Sequence, residues 1–229
     1  MKNWNVDDVM TKAVVSVDQA ASYRSVVDLL IGNRFSAVPV VDGFGRVSGV
    51  VSETDLLRKI EYAGDTEPRM FEGRRRRDAR DKALARTAGD LMTSPPVVVL
   101  IGTSIAAAAR LLDREGVKRL PVVDDLGRLV GIVSRGDLLK VHLRADDEIQ
   151  ADIETGILRL YLPENFESVA VTVTDGVVRI TGQVERRSDV DLVFRLARQV
   201  AGVVEASGAL GYKIDDEQPV STVFPFGVA

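Results

Sequence analysis

The 229-residue chain is 45% apolar and 28% charged, with a formal charge of −4; this excludes a disordered polymer and gives no overall attraction for nucleic acid or an anionic membrane. It contains no cysteine, which excludes disulfides, thiolate nucleophiles and zinc–thiolate sites together. The opening stretch lacks a basic region followed by an apolar core, and no apolar run approaches the ~20 residues of a membrane helix, so a cytoplasmic location is expected.

Asp8-x-Met10-Thr11 comes first, followed by an extended Val15-x-Val17. Ser22 stands where an N-cap belongs, and Tyr23, Val26, Val27, Leu30 and Ile31 then form one helical stripe. Two short apolar strands, 38–41 and 47–51, flank Asp42-Gly43-Phe44-Gly45, a composition that suits a tight hairpin. A second helix is expected after Ser52. Segment 61–87 reads as a linker, with a loop around Gly64 and Pro68 and an exposed helix through the arginine run 74–77. Flanked by Asp78 and Asp81, that run is read as a solvated face, not a nucleic-acid contact.

Residues 88–142 then repeat residues 6–60 at a constant offset of 82 without a gap, and 20 of 55 positions are identical. That is an internal duplication. Asp90-x-Met92-Thr93, Val97-x-Val99, the N-cap Ser104 and the stripe Ile105, Ala108, Ala109 and Leu112 recur in order. A hairpin at 124–127 and a helix start after Ser134 follow. Each repeat is expected to be β-α-β-β-α, the first within 1–60 and the second within 88–145.

Beyond them, 147–214 reads as a separate α-β-β-α-β unit and 215–229 as a tail, giving an α+β chain overall. In that unit Ile149, Ile153, Ile157, Leu160 and Tyr161 form a stripe, and alternating valines on either side of Asp175-Gly176 form a hairpin. Ser188 and Asp191 are expected to cap a helix bearing Val193, Leu196, Ala197 and Val200.

Both repeats carry Gly-h-Val-Ser-x-x-Asp-Leu-Leu (h apolar) after the hairpin, at 49–57 and 131–139. Ser-x-x-Asp alone is a capping box. Placed twice, in halves that pack together, it would bring two helix starts and two carboxylates toward shared clefts. Amides at a helix start suit phosphate, and a carboxylate can accept both hydroxyls of a ribose.

With Asp-x-Met-Thr and the Val-Pro-Val-Val-Asp and Leu-Pro-Val-Val-Asp strands, the repeats resemble a tandem pair of cystathionine-β-synthase (CBS) domains, a Bateman module. The resemblance implies clefts for an adenosine ligand such as AMP, ADP, ATP or S-adenosylmethionine, and assembly as a homodimer. It implies ribose on Asp55 and Asp137, and phosphate near Ser52, Thr54, Ser134 and Gly136. It further implies the base against Val15, Val38, Val97 and Leu120, with Pro39 and Pro121 beside them. Lys118, Arg119 and Arg135 stand where the first repeat has Ser36, Ala37 and Glu53. A phosphorylated ligand is therefore expected to prefer a cleft served by the second repeat's basic residues, with Asp137 as its acid.

Residues 147–213 resemble a BON domain through Val-x-Val-Thr-Asp-Gly-Val-Val-Arg-Ile-Thr-Gly-Gln-Val (171–184) and Val-Ala-Gly-Val-Val-Glu-Ala (200–206). BON domains are often linked to phospholipid. Here residues 147–217 carry 14 acidic against seven basic side chains, which an anionic lipid face would repel, so a protein partner is expected instead. The lone histidine, His142, neighbours no acid–nucleophile set, and no metal-ligand spacing occurs. The expectation is a non-catalytic regulator with no catalytic cofactor. A ligand-independent scaffold and a membrane-associated stress protein are the alternatives.

Overall fold

Short apolar strands and Asp/Gly turns build the same small sheet twice. A computed structural model describes residues 4–63 and 74–217, which divide into a unit of residues 5–138 and a unit holding residues 139–217 together with Trp4.

In the first unit, repeat 1 runs α1 (Val6–Val9), β1 (Val17–Asp18), α2 (Tyr23–Asn33), β2 (Ala37–Val41), β3 (Val47–Ser52) and α3 (Glu53–Glu61). Helix α4 (Arg74–Leu84) follows. Repeat 2 runs α5 (Ala88–Leu91), β4 (Val99–Leu100), α6 (Ile105–Arg114), β5 (Arg119–Val123), β6 (Leu129–Ser134) and α7 (Arg135–Leu138). Each repeat holds a three-stranded sheet whose first strand is parallel and third antiparallel to the middle one.

Ser22 and Ser104 accept the amides of Ser25 and Ala107, the expected N-caps. Val26 and Leu30 of the α2 stripe are buried, whereas Ile31 is 73% exposed, because the face turned to the sheet is narrower than the apolar arc. Helices α1 and α5 were not foreseen: a four-residue turn is too short to show a period.

The repeats exchange their opening segments. Val6 N–H donates to Thr103 O in repeat 2, and Ala88 N–H donates to Ala21 O in repeat 1, at 2.9 and 2.8 Å. Thr11 and Ile132 trade backbone hydrogen bonds, as do Thr93 and Val50. Ala88 and Leu91 accordingly sit in repeat 1's core beside Val26, Leu30, Val38 and Val51. Met92 packs over Gly49 and Met10 over Gly131, where any Cβ would collide with the thioether. This exchange is what the recurring Asp-x-Met-Thr does structurally.

Helix α4 departs from the expected exposed helix. Ala79, Arg80 and Ala83 are each 8% exposed, and Lys59 on α3 donates to the carbonyls of Ala83 and Ala85, both at 3.0 Å. The side chains of the arginine run lie outside the described residues.

In the second unit a 3-10 turn (Leu139–Leu143) precedes α8 (Asp146–Ile153), a π-turn (Glu154–Leu158), α9 (Arg159–Tyr161) and a second 3-10 turn (Pro163–Ser168). Then come β7 (Val169–Thr174), β8 (Val177–Arg186), α10 (Arg187–Ala197) and β9 (Glu205–Ile214). Strand β8 is central, antiparallel to β7 and parallel to β9 across the α10 crossover. Ile149, Ile153 and Ile157 are buried as expected, but Leu158 replaces Leu160 and Tyr161, which are exposed. The π-turn explains this: its wider turn shifts the helical phase after Ile153. The α10 cap also differs, since the Asp189 carboxylate, not Asp191, accepts the Arg186 amide, and Ser188 bonds Asp216.

Candidate functional site

Strand β3 delivers Ser52 to the start of α3 in extended conformation, so the chain turns into the helix with Ser52 as N-cap. Asp55, one turn in, folds back on it. Its Oδ2 accepts the Ser52 amide at 2.8 Å and the Ser52 hydroxyl at 2.6 Å. Ser134 and Asp137 form the same pair, at 2.9 and 2.7 Å. The repeated Ser-x-x-Asp is therefore a cap in both copies, and any ligand role is additional to it.

The copies diverge in what surrounds that cap. Next to Asp55 lies a cavity of about 260 Å³, close to the lower bound of ~300 Å³ for small-molecule sites. Of the expected site residues, Ser52, Thr54, Asp55, Val97, Lys118 and Arg119 line it. The two basic residues thus share a cavity with the acid of repeat 1, although the sequence reading grouped them with Asp137. The reason is the packing of the repeats, which carries the start of β5 to the mouth of the first repeat's α3. Arg119 lies over the Phe35 ring of repeat 1, 5.9 Å from its centre.

Val15, Val38, Pro39, Leu120, Pro121, Ser134, Arg135, Gly136 and Asp137 are not brought into this cavity. Val38 and Leu120 are fully buried in their sheets, and Val15 is 40% exposed. Helix α7, which begins behind Ser134, has only four residues before the chain tightens into the 3-10 turn, whereas α3 has nine. Few aligned peptides stand behind the α7 start, so its field on an anion is the weaker one.

Several residues at the cavity were not singled out from the sequence. Thr93, the last residue of the second Asp-x-Met-Thr, lines it, as do Val50 and Val117. Lys82 of α4 reaches its wall, donating to Asp55 Oδ1 at 2.5 Å and to Thr93 Oγ1 at 2.7 Å. The recurrence of Asp-x-Met-Thr could have flagged Thr93. Nothing local distinguishes Lys82 from the other bases of its helix.

The CBS-domain model matches residues 6–62 and 88–144, and the BON-domain model matches residues 145–206. An uncharacterized protein of Methanocaldococcus jannaschii is 31% identical over 153 residues, covering 59% of this chain and 89% of its own length. The chain belongs to the CBS-domain family, as a CBS pair followed by a BON domain. CBS domain-containing protein CBSX1, chloroplastic, of Arabidopsis thaliana is 37% identical over 145 residues. That match covers 59% of each chain, so the CBS pair here accounts for under two thirds of that relative's length. The crystal structure of CBSX2 in complex with AMP superposes with a TM-score of 0.55 at 34% identity, covering 61% of this chain and 97% of that one. All these matches fall short of the whole chain. The BON domain stands beside a CBS pair in a chain in which no helix of the described residues is long and apolar enough to cross a membrane.

Proposed function

We propose that the chain is a cytoplasmic, non-catalytic regulator whose CBS pair binds an adenosine ligand, AMP in the first instance, in the cavity beside Asp55. The observation that carries the reading is chemical complementarity within one cavity. The Asp55 carboxylate and the capped start of α3 line it together with the cationic Lys118 and Arg119, which outweigh for phosphate the second carboxylate there, Glu53, and Val50, Val97 and Val117 supply apolar wall. In this reading Asp55 takes ribose hydroxyls, Lys118 and Arg119 take phosphate, and the valines cover the base. The AMP complex of CBSX2 supports the choice of ligand. Self-association through the CBS pair and a protein partner for the acidic BON domain complete the proposal.

Calorimetric titration of the intact chain with AMP tests it. Asp55→Asn is expected to weaken binding about tenfold or more, since hydrogen bonds to a charged group are worth ~1.5–3 kcal/mol. Lys118→Ala with Arg119→Ala should weaken AMP more than adenosine, and Asp137→Asn should leave AMP affinity within about twofold. Loss of binding in Asp137→Asn with Asp55→Asn unaffected would move the ligand out of this cavity.

A further inference from the structure

The acceptor sites of Asp55 are almost used up before any ligand arrives. An ionised carboxylate offers about four lone-pair positions. Two donors, the amide and hydroxyl of Ser52, occupy Oδ2, and Lys82 Nζ occupies Oδ1. A ribose cis-diol brings two further donors, so room for both exists only if one protein donor withdraws. The Ser52 amide is fixed by the start of α3, and its hydroxyl, on a one-carbon side chain held by the same cap, donates to the same Oδ2 at 2.6 Å. Lys82 is the donor on a flexible stem, and it comes from outside both repeats.

Its position is not incidental. The Lys82 and Asp55 side chains are only 19% and 12% exposed, so water screens the pair weakly. The same ammonium bonds Thr93, which also lines the cavity, so Lys82 bridges a residue of repeat 1 to one of repeat 2 across the cavity wall. Helix α4 holds it there, being fastened to α3 by Lys59 and by the burial of Ala79 and Ala83.

Resting on the nucleotide reading of this cavity, we propose that Lys82 is a built-in competitor for the ribose subsite: it holds the Asp55 carboxylate in the empty protein and must leave Oδ1 for a cis-diol nucleotide to seat both hydroxyls. A nucleotide with a single ribose hydroxyl fits the one remaining acceptor position and leaves Lys82 where it is. The lysine thus lowers affinity for a ribonucleotide selectively and sets the concentration at which the cavity fills.

The test is calorimetric titration of the intact chain, wild type, Lys82→Met and Lys82→Gln, with AMP and with 2′-deoxy-AMP. If the carboxylate is free of Lys82 about a tenth of the time, Lys82→Met should bind AMP about tenfold more tightly than wild type. Affinity for 2′-deoxy-AMP should stay within about twofold, so the ratio between the two ligands is the readout. Lys82→Gln keeps a donor without the charge and should fall between; it carries the same test if Lys82→Met does not fold. AMP binding seen only in the variants supports the proposal as well. Unchanged or weaker AMP binding in both variants, where the wild type binds, overturns the role of Lys82 and leaves the nucleotide reading standing. No AMP binding by any of the three overturns both.

Discussion

Aspartates of one chemical type do three different jobs in this chain, and their partners decide which. Asp42 and Asp124 close the two hairpins. In each, Oδ1 accepts the amides two and four residues on, at 2.9 to 3.0 Å, while Oδ2 pairs with the Nε of Arg46 or Arg128. Backbone hydrogen bonding from Arg46 and Arg128, ahead of their side-chain charge, holds both carboxyls below the ordinary value of 3.8. A carboxyl depressed by folding stabilises the folded state above its unfolded pKa. That contribution disappears as pH falls through the folded value, so the hairpins lose this support only in acid below 3.8. Carbon-detected NMR titration should show both residues below that value. Arg46→Ala should leave Asp42 still depressed, because the backbone amide of position 46, the largest single cause, and that of Phe44 remain; return to the ordinary value would put the guanidinium first. Asp55 and Asp137 share a cap instead, and only Asp55 faces Lys82 and the cavity described above.

Elements whose signals are local could be read before any coordinates. Ser22 and Ser104 cap because a hydroxyl three residues before a free amide needs no tertiary help. The hairpins of the two repeats follow from Asp and Gly placed between short apolar strands. The extended Val15-x-Val17 marked the short β1, but the phase shift after Ile153 was beyond such reasoning, since the π-turn leaves no compositional mark. The cavity was legible as far as Ser52, Thr54, Asp55, Val97, Lys118 and Arg119 as chemical types, but not as a set, because their grouping depends on contacts between residues some 60 apart in sequence. The exchanged segments make that grouping, and they depend on two glycines. A Cβ at Gly49 would fall 2.5 Å from the Met92 sulfur and 2.8 Å from its Cβ, so the methionine cannot relieve the clash by moving its tip alone. Gly49→Val should therefore cost about 1–3 kcal/mol as an overpacked contact. Gly43→Ala, in open space at the hairpin tip, serves as the control and should leave the melting temperature nearly unchanged. Equal melting temperatures for the two variants would show that Met92 does not need that glycine.

At the level of the whole molecule, each of the two units closes its own core. In the first, Val26, Leu30, Val38 and Val51 pack with Ala88 and Leu91; in the second, Ile149, Ile153, Val178, Ile180 and Val193 pack together. The cavity beside Asp55 belongs wholly to the first unit, since every residue that lines it lies between Ser36 and Arg119. A ligand stabilises only what must unfold to release it, by RT ln(1 + [L]/Kd), about 2.7 kcal/mol at a hundredfold excess over Kd. Calorimetric melting of the full chain should accordingly show two transitions, and saturating AMP should raise the one belonging to the CBS pair by roughly 10 °C. The BON transition should stay in place. At the same AMP concentration Asp55→Asn, binding about tenfold more weakly, should cut the shift to about half or less without merging the transitions, which assigns it to the cavity and not to nonspecific nucleotide binding. If AMP raises both transitions together, ligand energy is reaching the BON domain, and the chain would then transmit occupancy of its CBS pair to its C-terminal module.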